Sequence, residues 1–153
     1  MKRSYPLWIL VYLGIAALAW VLAGGLSMYL DLPSLAVILL LPLPLLVATF
    51  PLREIRNAFF CVFHHAVDGS ELRNALVVFS TMERLLLLAG LFGVISGLIG
   101  IFSHISSAEM IGRGIALALL TPLYAMVLMM AFTVPLRAAV RRRIAREAPD
   151  ELV

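Results

Sequence analysis

Cys61, His64 and His65 come nearest, by residue type and spacing, to a chemical site. On one helix face a thiolate and two imidazoles have the donor atoms for a transition-metal ion. No fourth ligand stands nearby in the sequence, and such a group without one ordinarily packs or faces solvent, so no metal and no cofactor is expected. A serine, a histidine and an acid at hydrolase-like spacing do not occur, nor does a glycine-rich phosphate loop after a strand. The chain is therefore not expected to be an enzyme, and no catalytic residue is assigned.

A second arrangement concerns approach rather than reaction. The run GLFGVISGLIG places Gly90, Gly93, Gly97 and Gly100 at intervals of three, four and three, which keeps them on one helix face. Each costs roughly 1 kcal/mol against alanine in a helix interior. Four together make sense where bare backbone must meet something closely. Further on, Gly114, Ala118, Thr121 and Ala125 recur at four, three and four. Plain helix packing through small residues accounts for this face as well as a pore does. Thr121 is followed by Pro122, which deprives a backbone carbonyl of its usual donor.

The elements that carry these residues belong in a bilayer. The chain of 153 residues is 63% hydrophobic and only 14% charged, with a mean hydropathy of +1.04, too apolar for a soluble domain. Apolar stretches at about 7–30, 35–52, 85–102 and 114–136 each approach the roughly 20 residues that span a membrane. The expected fold class is an all-α integral membrane protein of four spans, a single domain over 1–153. Cytoplasmic helices at about 53–67 and 70–84 form a hairpin between the second and third spans, and a basic tail occupies 137–153. The first stretch resembles a signal peptide in having Lys2 and Arg3 before it, but Trp20 and Val21 continue it past Ala17, Leu18 and Ala19, so an uncleaved anchor is expected. Cys61 is the single cysteine, so the fold holds without an internal disulfide.

Arginine and lysine set the orientation. They lie before the first stretch, between the second and third, and after the fourth, whereas the other two loops hold only Arg113. The positive-inside rule then places both termini and the central connection in the cytoplasm. The net charge of +3 needs no nucleic acid: RAAVRRRIAR is a topology signal and a contact for lipid headgroups.

Local chemistry shapes the helices. Asp31 or Ser34 caps the second, and Pro33 stops the first from running on. Pro42 and Pro44 predict a bent or partly broken helix near LPLPL. Ile55, Phe59, Val62, Phe63 and Ala66 fall at helical spacing with Arg53, Arg56 and Asn57 between them, which is an amphipathic helix. Asp68 and Glu71 resemble a capping box that starts another. That helix meets no stop signal before the third span and should continue into it as one rod. No carboxylate, lysine or arginine lies in the core of any span, although intramembrane proton and cation relays depend on such groups.

LDLPSLAVILL, FPLREIRNAF, VFSTMERLLLLAGLFGVISGLIGIF and IGRGIALALLTPLYAMVLMMAFTVPL, in this order, resemble the MotA/TolQ/ExbB family, most closely its MotA flagellar stator branch. Gly90, Gly93 and Gly97 fall on the family's third-span glycines, and Gly114, Ala116, Leu123, Tyr124 and Pro135 on its fourth-span pattern. The resemblance implies an inner-membrane pentamer around the single span of a partner whose aspartate carries the ion. It makes Gly90, Gly93, Val94, Gly97, Gly100, Ala118, Thr121, Pro122 and Ala125 the pore- or partner-facing set. Val94 and Pro122 stand where the family tends to have threonine, Leu87 where it often has proline, and the family's large cytoplasmic region is much reduced. Two functions are therefore open: a subunit coupling proton or sodium flow to movement or force, and a non-conducting scaffold that keeps the assembly surface.

Overall fold

The computed structural model describes residues 5–63, 68–103 and 108–147. These residues are all-helical, without a strand among them. Helix α1, Tyr5–Leu22, is followed by a 3-10 turn, Leu26–Tyr29. Then come α2 (Leu32–Leu40), α3 (Pro42–Thr49), α4 (Leu52–Phe63), α5 (Gly69–Ser103) and α6 (Ala108–Leu128). A π turn, Met129–Thr133, joins α6 to α7, Val134–Glu147.

Among the described residues, three helical segments are long and apolar enough to cross a membrane: Leu32–Thr49, Gly69–Ser103 and Met110–Arg146. The apolar helix Leu7–Leu22 is shorter. The first stretch, expected to run to residue 30, stops being α-helix at Leu22 because Gly24 and Gly25 take φ of 144° and 99°. Only glycine enters that region without strain, and the chain turns there. Hydropathy does not encode this dihedral choice.

The break in the second stretch falls at Leu41. Pro42 and Pro44 cannot donate to the carbonyls of Ile38 and Leu40, so α2 ends and α3 restarts with Pro42 at its first position. At the other end of α2, Asp31 is the N-cap, its carboxylate accepting from the Ser34 N–H at 2.9 Å.

α5 is one rod of 35 residues, about 52 Å long at 1.5 Å per residue. It exceeds the roughly 30 Å hydrocarbon thickness, so a good third of it lies outside. Asp68 starts it: its carbonyl accepts from the N–H groups of Glu71 and Leu72, and its carboxylate takes the Ser70 hydroxyl at 2.8 Å. α6, the π turn and α7 form the other long rod. Pro135 has no N–H, and just before it the Val134 N–H reaches back to the Met129 carbonyl, five residues away rather than four. The Thr133 hydroxyl donates to the same carbonyl at 3.3 Å.

The core has two parts, one along each half of these rods. In the first, Ala58, Cys61 and Val62 of α4 pack on Leu72, Ala75, Val78 and Phe79 of α5 and on Leu136 and Val140 of α7. Phe59 meets Phe79 edge-on, with ring centroids 5.3 Å apart. The Arg143 guanidinium closes this part by donating to the Cys61 and Val62 carbonyls at 2.6 and 3.0 Å. Both carbonyls belong to the last described turn of α4. Between the two parts, Arg137 of α7 pairs with Glu83 of α5 at 2.5 Å. In the second part, Ile38 of α2 packs with Leu86 and Ala89 of α5 and with Leu120, Tyr124 and Ala125 of α6. α1 is mostly exposed and touches the 3-10 and π turns, with Trp20 stacked on Tyr29 at 5.5 Å.

Candidate functional site

The most extensive helix contact in the chain is between α5 and α6, and glycine makes it. A Cβ at Gly93 would stand 2.5 Å from the Thr121 Cβ and 2.6 Å from its Oγ1. At Gly97 it would stand 2.7 Å from the Ala118 Cβ, and at Gly90 3.2 Å from the Ala125 Cβ and the Pro122 Cα. Real Cβ atoms do not come as close as the first two, so these backbones approach only because the side chain is missing. α6 returns the arrangement once: a Cβ at Gly114 would meet the Ile101 Cγ1 at 2.5 Å.

The structure thus brings together Gly90, Gly93 and Gly97 with Ala118, Thr121, Pro122 and Ala125, seven of the nine residues singled out from the sequence. Ala118, Thr121 and Ala125 are buried in this seam. Gly100 is exposed, with nothing within 4 Å of where its Cβ would be, and Val94 is half-buried. Gly90, Gly93 and Gly97 thus meet α6 of the same chain.

At one end the seam widens into a cleft of about 460 Å³ between α2, α5 and α6. Its wall is mostly apolar, and Asp31, Ser34, Ser96 and Thr121 are the lining residues with polar side chains. The turn that carries Asp31 is tied to α6 by Tyr124. The Tyr124 hydroxyl donates to the Tyr29 carbonyl and accepts from the Asp31 N–H at 2.9 Å. Neither the cleft nor this clasp is visible in the sequence, since both join residues more than 90 positions apart. Tyr124, within the apolar stretch of α6, was the local signal, because a tyrosine hydroxyl that becomes buried needs a partner.

No Asp, Glu, Lys, Arg or His falls at positions 85–103 or 114–136. Along the α5–α6 seam there is accordingly no group that could bind and release a proton near neutral pH. What the seam offers an ion is neutral oxygen: the Thr121 and Ser96 hydroxyls and the Ala118 carbonyl, which Pro122 cannot serve as donor.

Cys61 is buried beneath α7. Burial, with the negative charge of Glu71, pushes its thiol above the ordinary value, only partly offset by its own backbone contact and by Arg143. A raised pKa means little thiolate and a poor metal ligand. Among the described residues no group of three potential ligands assembles, and His64 and His65 lie outside them.

A search of curated proteins returns no match. The model of the MotA/TolQ/ExbB proton channel family matches residues 62–150, which takes in all of α5, α6, the π turn and α7 and is more than half of the chain. The two helices that close on each other through glycine are thus inside the matched region, and this membrane protein belongs to the MotA/TolQ/ExbB proton channel family.

Proposed function

We propose that the chain is an inner-membrane subunit of the MotA type with four spans, α1 supplying the first, and with both termini and the α4–α5 hairpin in the cytoplasm. It assembles as a homo-oligomer, a pentamer by family likeness, around a single-span partner, and couples proton or sodium flow to movement or force. The observation that carries this reading is the combination of family membership with spans that contain no Asp, Glu, Lys, Arg or His at positions 85–103 and 114–136. An ion crossing beside them needs a carboxylate from another chain, because an unpartnered charge at the bilayer centre costs several kcal/mol or about 3 at the least.

Within the pore- or partner-facing set, the seam residues Gly90, Gly93, Gly97, Ala118, Thr121, Pro122 and Ala125 fix how far α5 stands from α6. Gly100 and Val94 are left with surface to offer a partner or a neighbouring subunit. The closed seam also favours a second reading: since α6 already covers the glycines, they need no lumen, and a non-conducting scaffold would keep them for packing alone.

Vesicles separate the two. The chain reconstituted alone should not pass protons above background. With its partner it should leak protons or sodium, the leak should vanish when the partner's aspartate becomes asparagine, and it should fall in Thr121→Val. A strong leak from the chain alone would refute the need for a partner carboxylate. A stably bound partner without any leak, under conditions that open a known family member, would establish the scaffold.

A further inference from the structure

A second cleft, of about 220 Å³, lies where the proline break separates α2 from α3, and α4, α5 and the π turn complete its walls. Its lining includes Leu39, Pro42, Leu43, Phe59 and Phe132. The one hydroxyl among its lining residues, that of Thr133, is turned back to the Met129 carbonyl, so the wall is apolar throughout. Leu39 and Leu43 are 47% and 49% exposed, so the cleft opens sideways on the surface of the chain.

Two arginines lie close in sequence to residues of this apolar wall, on two elements. Exposed Arg56 precedes the lining residue Phe59 by one helical turn of α4, and exposed Arg84 immediately precedes the lining residue Leu85 of α5. Nearby Arg137 is engaged by Glu83, which leaves Arg84 as the cation of its own turn. A planar guanidinium matches a phosphate in geometry as well as charge.

We propose that this cleft is a binding site for an anionic phospholipid of the cytoplasmic leaflet, one acyl chain lying in the cleft and the headgroup phosphate between Arg56 and Arg84. An acyl chain fills an apolar slot that helices leave open and restores the dispersion contacts the gap forfeits. A second copy of the chain is the poorer occupant, because it would bring its own arginines to the same end. The site rests on the orientation proposed above but not on ion flow.

The test uses the full chain in nanodiscs of equal phosphatidylglycerol and phosphatidylcholine, with retained lipid counted by native mass spectrometry. The unaltered protein should retain phosphatidylglycerol over phosphatidylcholine on the order of tenfold. Arg56→Gln with Arg84→Gln should abolish the preference and leave lipid bound. Leu43→Trp, at an exposed position, should displace both lipids at unchanged oligomer mass and helicity. Equal retention of the two lipids by the unaltered protein would overturn the proposal. So would a Leu43→Trp protein that keeps its lipid and loses oligomer mass, which would make the cleft an interface between copies. These outcomes leave the ion-flow reading untouched, and a missing leak leaves the lipid counts untouched.

Discussion

A methyl group at Gly93 would have to share space with the Thr121 side chain, down to its Cβ, whereas one at Gly100 would meet nothing within 4 Å. The same substitution at two positions of one stripe should therefore act in opposite directions. Gly93→Ala should lower stability by about 1–3 kcal/mol, the usual cost of overpacking a closed contact. Gly100→Ala should raise it by up to roughly 1 kcal/mol, since only helix propensity changes. Unfolding titrations in mixed micelles measure both, and Thr121→Gly should restore the loss in Gly93→Ala. Equal shifts at the two positions would mean that the seam does not hold the helices together. The spacing of the glycines was legible because helical periodicity is local. Which of them closes on a neighbour was not, because that depends on where α6 ends up.

At the scale of the element, α4 is held by more than its apolar face. Arg143 of α7 donates to two of its last carbonyls, 82 and 81 residues away in sequence. Hydrogen bonds from a charged donor contribute about 1.5–3 kcal/mol when buried. Arg143 is half-buried, so water and salt reduce this to about 1 kcal/mol. Arg143→Ala should accordingly speed hydrogen exchange of the amides of α4 by about fivefold, and should raise the rate at which iodoacetamide alkylates Cys61, a rate that burial and a raised thiol pKa should keep low in the unaltered protein. Unchanged exchange and alkylation would show α7 to be idle in holding α4. The amphipathic pattern of α4, the proline break at Leu41 and the unbroken α5 were all readable from the sequence, since each follows from side chains a few residues apart. The Arg143 clamp, the Tyr124 clasp and the Arg137–Glu83 pair were not, and the tail arginines looked like topology signals and headgroup contacts. Such pairs form only once distant helices lie side by side.

For the whole molecule, the two long rods and the arginine placement fix how the protein should sit in its membrane. Reporter fusions at Asp31 and Glu109 should be periplasmic and one at Gly69 cytoplasmic, because the basic residues gather on the side of α4 and the start of α5. A periplasmic Gly69 would invert the arrangement. The second rod also carries its halves in a particular angular relation. A π turn packs one residue more than an α turn into one stretch of helix. Deleting a single residue within positions 129–133 would let the segment close as ordinary α-helix with everything beyond it at its present angle, so Arg137 should stay on Glu83 and Leu136 and Val140 on α5. Were the same residues to close as α-helix without that deletion, everything beyond them would swing by about 100° about the axis. The membrane part and the basic end of the molecule are indexed to each other like a dial against its pointer, by one surplus residue.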